Sequence, residues 1–196
     1  GYDTNVWMQV INGQKYMFAA GQSGASWNIY KQVPGGYLWK LCGGISPDGT
    51  WRDNNNNGIQ DSGEWVASNL SYVISYSGYI DSNNDMWFPA FNNGIIKAKF
   101  KGLDANGNLI YDPVYIPSTV TTSYYNIGRV IYVPETDTMY MTGFNAAHTN
   151  PGEDERAAGP VLSRYDNWSS NPTLTWQYVL PTDRSSDIYP NPNVGN

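Results

Sequence analysis

Apolar and polar residues alternate in short runs along this chain, and turn-forming pairs separate the runs. Tyr16-Met17-Phe18-Ala19-Ala20, Met86-Trp87-Phe88-Pro89-Ala90, Ile95-Ile96-Lys97-Ala98-Lys99-Phe100, Arg129-Val130-Ile131-Tyr132-Val133 and Leu174-Thr175-Trp176-Gln177-Tyr178 are rich in aromatic and β-branched side chains. Such residues suit a pleated, half-buried surface, so each run predicts a strand. Between the runs fall Asn12-Gly13, Asp48-Gly49, Asn57-Gly58, Asn93-Gly94 and Asn106-Gly107. Asn, Asp and Gly tolerate positive φ, and these pairs predict hairpins or tight turns. No segment longer than a turn or two carries a helical period. Gly152-Glu153-Asp154-Glu155-Arg156-Ala157-Ala158-Gly159 is the best helical candidate, and it is short enough to be a loop. The expected fold class is all-β.

Two stretches match at a constant offset of 53 residues, 79–91 and 132–144. Tyr, Met and Phe recur identically, Ile80 pairs with Val133, and Trp87 pairs with Tyr140. Residues 94–100 align with 159–165 at an offset of 65, so 12 extra residues lie between, in the region 148–158. A looser third copy spans 16–31. A unit of roughly 50 residues with about four strands is the period of a β-propeller blade. Two matched segments in the same order favour repetition over a chance likeness between two hairpins of one sandwich. The expected architecture is β-propeller-like, with about four blades or a partial ring, over residues 1–188. Residues 189–196, with Tyr189-Pro190-Asn191-Pro192-Asn193, read as a C-terminal tail or linker.

Composition narrows the function classes. Charged residues make up only 14 % of the chain, against about 25 % in ordinary soluble domains. No run approaches the roughly 18 apolar residues of a spanning helix, so integral insertion by helices is not expected. The polar share consists of uncharged groups, with 22 Asn and 20 Gly, both poor helix formers. With 8 Trp, 16 Tyr and 5 Phe the chain carries far more aromatic surface than disordered sequences do. The net charge is −6, and 11 scattered bases cannot neutralise a phosphate backbone, which argues against nucleic acid. Cys42 is the only cysteine, so neither an intrachain disulfide nor a thiolate metal cluster is expected. The first residues lack the basic and apolar runs of a signal peptide, and the sequence reads as a mature chain or an excised segment.

One segment has metal-ligand spacing. Asp53-Asn54-Asn55-Asn56-Asn57-Gly58-Ile59-Gln60-Asp61-Ser62-Gly63-Glu64 fits the twelve-residue calcium loop. Asp53, Asn55, Asn57, Asp61 and Glu64 put oxygen side chains at positions one, three, five, nine and twelve. The Ile59 carbonyl adds a ligand at position seven, and Gly58 allows the reversal at position six. Only three of these ligands are charged, Gln60 stands where an apolar residue is usual, and no amphipathic helices flank the loop. The expectation is therefore a lone Ca²⁺ site of roughly 10⁻⁴–10⁻³ M affinity that pins a long connection and does no chemistry. The clusters Asp81-Ser82-Asn83-Asn84-Asp85 and Asp104-Ala105-Asn106-Gly107-Asn108 lack a distant Glu and read as hairpin turns.

Residues 51–64, then Tyr79-Ile80-Asp81 to Trp87, Gly94-Ile95, and 102–112 together resemble bacterial extracellular β-propellers of the NHL-like kind. In that family a tryptophan-led, EF-hand-like loop precedes a blade whose hairpin reads much like this one. The resemblance covers about residues 39–180 and is sharpest over 51–112. It implies a propeller fold and an extracellular location, secreted or cell-surface, in bacteria. It implies little about activity, because fold does not fix function.

Chemistry finds no constellation in the sequence. His148 is the only histidine and reads as a loop residue. Asp81, Asn83, Asp85, Glu135 and Asp137 could project towards a metal-dependent site, but no spacing singles them out, and Glu153, Asp154 and Glu155 read as a solvated acidic loop. Binding has better material, because planar rings stack on sugar faces and side-chain amides bond hydroxyls. Trp27, Trp51, Trp65 and Trp168 are flanked by turn residues and are expected to be exposed ligand-binding rings, whereas Trp87 is expected in the core. The functional expectation is a secreted, calcium-stabilised, non-catalytic binding module whose leading ligand is a carbohydrate, a cell-surface polysaccharide. A fragment of a propeller enzyme acting on sugars or lactones, and a protein–protein scaffold, are the alternatives.

Overall fold

The computed structural model describes residues 6–20, 27–46, 49–67, 77–90, 94–116, 123–148 and 159–180. They form three antiparallel sheets in which sequence neighbours pair. The first holds six strands: β1 (Val6–Ile11), β2 (Gln14–Ala20), β3 (Trp27–Gln32), β4 (Trp39–Ser46), β5 (Gly49–Arg52) and β6 (Trp65–Ala67). The second holds β7 (Tyr79–Ile80), β8 (Met86–Ala90), β9 (Gly94–Leu103) and β10 (Leu109–Ile116). The third holds β11 (Asn126–Val133), β12 (Thr138–Phe144), β13 (Val161–Asp166) and β14 (Thr173–Val179). The all-β class follows, and the five predicted strand runs lie in β2, β8, β9, β11 and β14. The three described sheets hold six, four and four strands. Most of the helical candidate at 152–159, the turn residues Asp48 and Asn93, and the tail at 189–196 lie outside the described residues.

Local chemistry explains the hairpins. Asn12 and Gly13 both adopt positive φ, 51° and 79°, and close β1 onto β2 as a two-residue turn of matching twist. Asp81 Oδ1 accepts the amides of Asn83 and Asp85 at 2.9 Å each, and Asp104 Oδ1 accepts those of Asn106 and Asn108 at 2.9 and 2.8 Å. In both hairpins the Asp side chain replaces part of the ladder, as the sequence suggests.

The sheets stack face to face with the second in the middle. Tyr16, Phe18, Trp27, Ile29 and Ile45 of the first sheet meet Met86, Phe88, Ile96 and Ala98 of the second. Trp87 and Ile95, on its other face, meet Ile127, Val130, Tyr132, Met139 and Met141 of the third. Every residue of β8 is buried for this reason, and its run reads as uniformly apolar because neither face reaches water.

The first core gives an alkaline signature. Burial pushes the Cys42 thiol and the Tyr16 phenol up to about 12, each well above its ordinary value. Both groups are neutral in the folded core and ionise more readily in the unfolded chain. Their stabilisation is therefore intact below about pH 9 and is lost as pH rises towards 12. Melting temperature should fall steadily over that interval in circular dichroism, with tyrosinate absorbance lagging a free-tyrosine standard. A flat melting temperature to pH 12 would contradict the burial of these groups.

Candidate functional site

The segment 53–64 joins β5 to β6, whose Trp51 and Trp65 are cross-strand partners. Asp53 is fully buried and accepts the Asn57 amide at Oδ1 and the Gly58 amide at Oδ2, both at 2.8 Å. Gly58 makes the reversal at φ +78°. Glu64, also buried, accepts the Asn55 amide at Oε1 (3.1 Å) and the Trp51 indole N–H at Oε2 (3.1 Å). The side-chain amides of Asn55 and Asn57 both donate to Asp61 Oδ2 at 2.9 Å. These two bonds, Asn55 first, hold the Asp61 carboxyl below its ordinary range. The loop thus links five of the expected ligand side chains, while the Ile59 side chain stands out to solvent.

Two features qualify its electrostatics. Lys40 Nζ lies 3.8 Å from Asp53 Oδ2 and donates to Asn56 Oδ1 at 2.8 Å, which offsets part of the loop's negative charge. Among the described residues, no three Asp, Glu, His or Cys side chains gather as a metal cluster. The second sheet also grips the loop. Asn108 Nδ2 donates to the Asp53 carbonyl at 2.7 Å, and Asn106 Nδ2 to the Asn54 carbonyl at 2.8 Å. The β9–β10 hairpin and the 53–64 loop therefore fasten the first two sheets together.

The tryptophans need a correction. Trp27, Trp51 and Trp168 are buried, so the exposure expected from their flanking turn residues is not found. Strand alternation turns Trp27 onto the face packed on the second sheet, Trp51 is buried on the other face with its indole N–H on Glu64, and Trp168 stands in the turn between β13 and β14. Trp27 packs edge-on to Phe88 at 5.6 Å, and Trp168 edge-on to Tyr165 at 6.0 Å. Trp65 is half-buried. Trp87 is core, as expected.

A cleft of about 350 Å³ opens between the second and third sheets. Trp87, Tyr132 and Trp168 give it aromatic edges, Ile116 and Pro172 apolar walls, and Lys97, Ser169 and Ser170 its polar groups. Lys97 is the cross-strand partner of Trp87. Its Nζ lies 4.7 Å from the Trp87 ring centre, 5.9 Å from that of Tyr132, and 2.8 Å from Asp85 Oδ2. Asp137 braces the opposite wall, taking the Tyr132 hydroxyl at 2.8 Å, the Ser169 amide at 2.9 Å and the Ser169 hydroxyl at 2.8 Å. Burial pushes the Asp137 carboxyl up, yet these bonds hold it below its ordinary range.

The carboxylates that might have served catalysis are committed elsewhere. Asp81 takes the Trp87 indole N–H at 2.8 Å besides its two turn amides, and burial pushes its carboxyl up. Asp85 takes the Phe100 amide at 2.8 Å and the Lys97 ammonium. Glu135 is bonded to the Ser82 hydroxyl, tying two hairpins together. Asn83 lends its backbone amide to the Asp81 turn. His148 is bridged through its backbone to Asn145. Among the described residues, those lining the cleft include no carboxylate and no histidine. Glu153, Asp154 and Glu155 lie outside the described residues.

Lys97, Tyr132, Ser169 and Ser170 were not singled out from the sequence. Lys97 carries the one signal that could have found it, a charged residue in an otherwise apolar run between Ile96 and Ala98. In comparisons with known proteins, the chain matches no family model and no curated sequence.

Proposed function

We propose that the chain is a calcium-stabilised, non-catalytic binding module of an extracellular, propeller-type protein, and that its cleft binds a polysaccharide. The cleft carries this reading. Clefts of this size lined by aromatic groups with a few placed polar atoms suit small organic units. Here ring edges, two serine hydroxyls and an ammonium held over an indole converge, and the nearby carboxylates Asp81 and Asp85 are hydrogen-bonded or ion-paired within the protein. That set can bond and orient a terminal sugar, and it offers no free acid–base pair for cleavage.

The propeller reading rests on the stacked meanders and on two hairpins that hold corresponding places. Residues 79–90 and 126–144 each run strand, turn, strand, and each then pairs with a third strand, β9 or β13. Trp87 lies opposite Lys97 and Tyr140 opposite Arg164, each cation over its ring.

The 53–64 donor set suits a hard cation: two aspartates, one glutamate and two amides with oxygen atoms. In the structure the side-chain amides of Asn55 and Asn57 donate to Asp61 and stabilise its charged carboxylate, a charge that Ca²⁺ would neutralise. The metal would brace the β5–β6 connection against the second sheet and takes no part in ligand binding.

Tryptophan fluorescence tests the cleft. Titration with oligosaccharide fragments of bacterial surface polysaccharides should give saturable quenching, abolished in Ser170→Trp, which fills the cleft mouth from an exposed position. Identical curves for the parent and this variant would remove the cleft from the reading.

A further inference from the structure

We propose that the cleft selects neutral, hydroxyl-rich sugars and turns away acidic ones, with Asp137 as the positioning residue that sets this choice. The inference rests on the polysaccharide reading above and names the class of sugar that the same cleft accepts.

Three carboxylates stand behind the lining, each bonded to a residue that lines the cleft. Asp81 Oδ2 takes the Trp87 indole N–H at 2.8 Å, Asp85 Oδ2 holds the Lys97 ammonium at 2.8 Å, and Asp137 holds Tyr132 and Ser169. Against them the lining supplies one cation, Lys97, whose charge Asp85 already balances. Lys99 and Lys101 lie further along β9, outside the lining, and Asp112 stands opposite Lys99. Among the described residues, the lining therefore holds no unpaired cation to receive an acidic ligand.

Hydrogen-bond direction points the same way. A carboxylate only accepts, so the Tyr132 and Ser169 hydroxyls, each 2.8 Å from an Asp137 oxygen, both give it their protons. What they keep for a ligand is oxygen lone pairs. The backbone amides of this wall are spent as well. Trp168 donates to the Asp137 carbonyl, Ser169 to Asp137 Oδ1, and Ser170 and Asn171 to the Asn167 carbonyl. A sugar hydroxyl can donate to those lone pairs and accept from the Lys97 ammonium or the Ser170 hydroxyl. A sugar carboxylate has no proton to give there, and it would face oxygens backed by the charge of Asp137. Setting like charge against the wrong partner is a direct route to specificity.

Tryptophan fluorescence titration of the full chain tests this. The probes are oligosaccharides of glucose, galactose and mannose, and the same oligosaccharides oxidised to uronic acids at C6. The parent should bind at least one neutral probe and hold its oxidised counterpart about tenfold more weakly, or worse. Asp137→Asn supplies the second arm. Asn suits the left-handed backbone at this position, φ 50°, so the turn is kept, and circular dichroism checks the fold. Its amide can donate to one of the two hydroxyl oxygens and so free that hydroxyl to donate into the cleft. The variant should keep neutral binding within a few-fold and bind oxidised probes more tightly than the parent does. A merely structural role for Asp137 would weaken both kinds of probe alike. A parent that binds oxidised and neutral probes equally overturns the inference and leaves the polysaccharide reading standing, as does a folded variant whose ratio is unchanged. If the variant unfolds, the ratio measured on the parent decides. A parent that binds no probe of either kind overturns both readings.

Discussion

Replacing Trp87 with alanine should lower the melting temperature by roughly 6–20 °C. The ring is buried between the second and third sheets, and removing a large core aromatic costs about 3–5 kcal/mol. For a chain of this length each kcal/mol shifts the midpoint by about 2–4 °C. The loss goes beyond volume, because Asp81 would lose its indole donor and Lys97 the ring beneath its ammonium. Trp87→Phe separates the two parts. It keeps most of the ring but strands a buried carboxylate oxygen, a penalty of about 1–3 kcal/mol. Differential scanning calorimetry should rank parent, Trp87→Phe and Trp87→Ala in that order. A Trp87→Ala melt within about 2 °C of the parent would mean that the sheets do not depend on this wedge.

The second large effect concerns the 53–64 loop. Ten-millimolar calcium over a site of roughly 10⁻⁴–10⁻³ M affinity should stabilise by about 1.4–2.7 kcal/mol, or roughly 3–10 °C. The double variant Asp53→Ala, Glu64→Ala should lose that shift. It should also melt lower than the parent in chelator, since the Asn55, Asn57 and Gly58 amides and the Trp51 indole would all lose acceptors. Lys40→Gln removes a cation 3.8 Å from Asp53 and should strengthen calcium binding several-fold. Without metal, Asp61 gives the loop an acid signature. Its depressed carboxyl stabilises the loop above the ordinary aspartate range, and that support fades as pH falls through the lower folded value. Calcium that leaves the melt of the parent unmoved would reduce the loop to a self-satisfied asparagine turn.

Much of the architecture was legible because strands and turns are written locally. Asn12-Gly13 needs only its own φ preferences, and the Asp81 and Asp104 turns need only a carboxylate that accepts the backbone amides two and four residues further on. The loop at 53–64 was legible for the same reason, since its donors lie within one short segment. The cleft was not. Its residues come from β8, β9, β10, β11 and the turn before β14, and nothing short-range says that they meet. The tryptophans failed at a subtler point. A ring beside a turn faces the core or water according to its place in the strand alternation, and a shift of one residue reverses the answer. Trp27 falls on the inward parity, whereas Trp51 lies on the other face, across from Gly44 and Asn28, and is buried there with its indole N–H on Glu64. The sequence alignment set Lys97 against Leu162, whereas cross-strand geometry sets Lys97 against Arg164, two residues on and of the same parity.

The central claim is that this chain binds polysaccharide and does not cut it. Incubation with insoluble bacterial polysaccharide, followed by sedimentation and a reducing-end assay on the supernatant, tests both halves at once. The expected result is protein in the pellet, released by soluble oligosaccharide and diminished in Ser170→Trp, with no reducing ends above the blank. Reducing ends that grow with time would make the chain an enzyme, and protein left wholly in the supernatant would contradict carbohydrate binding.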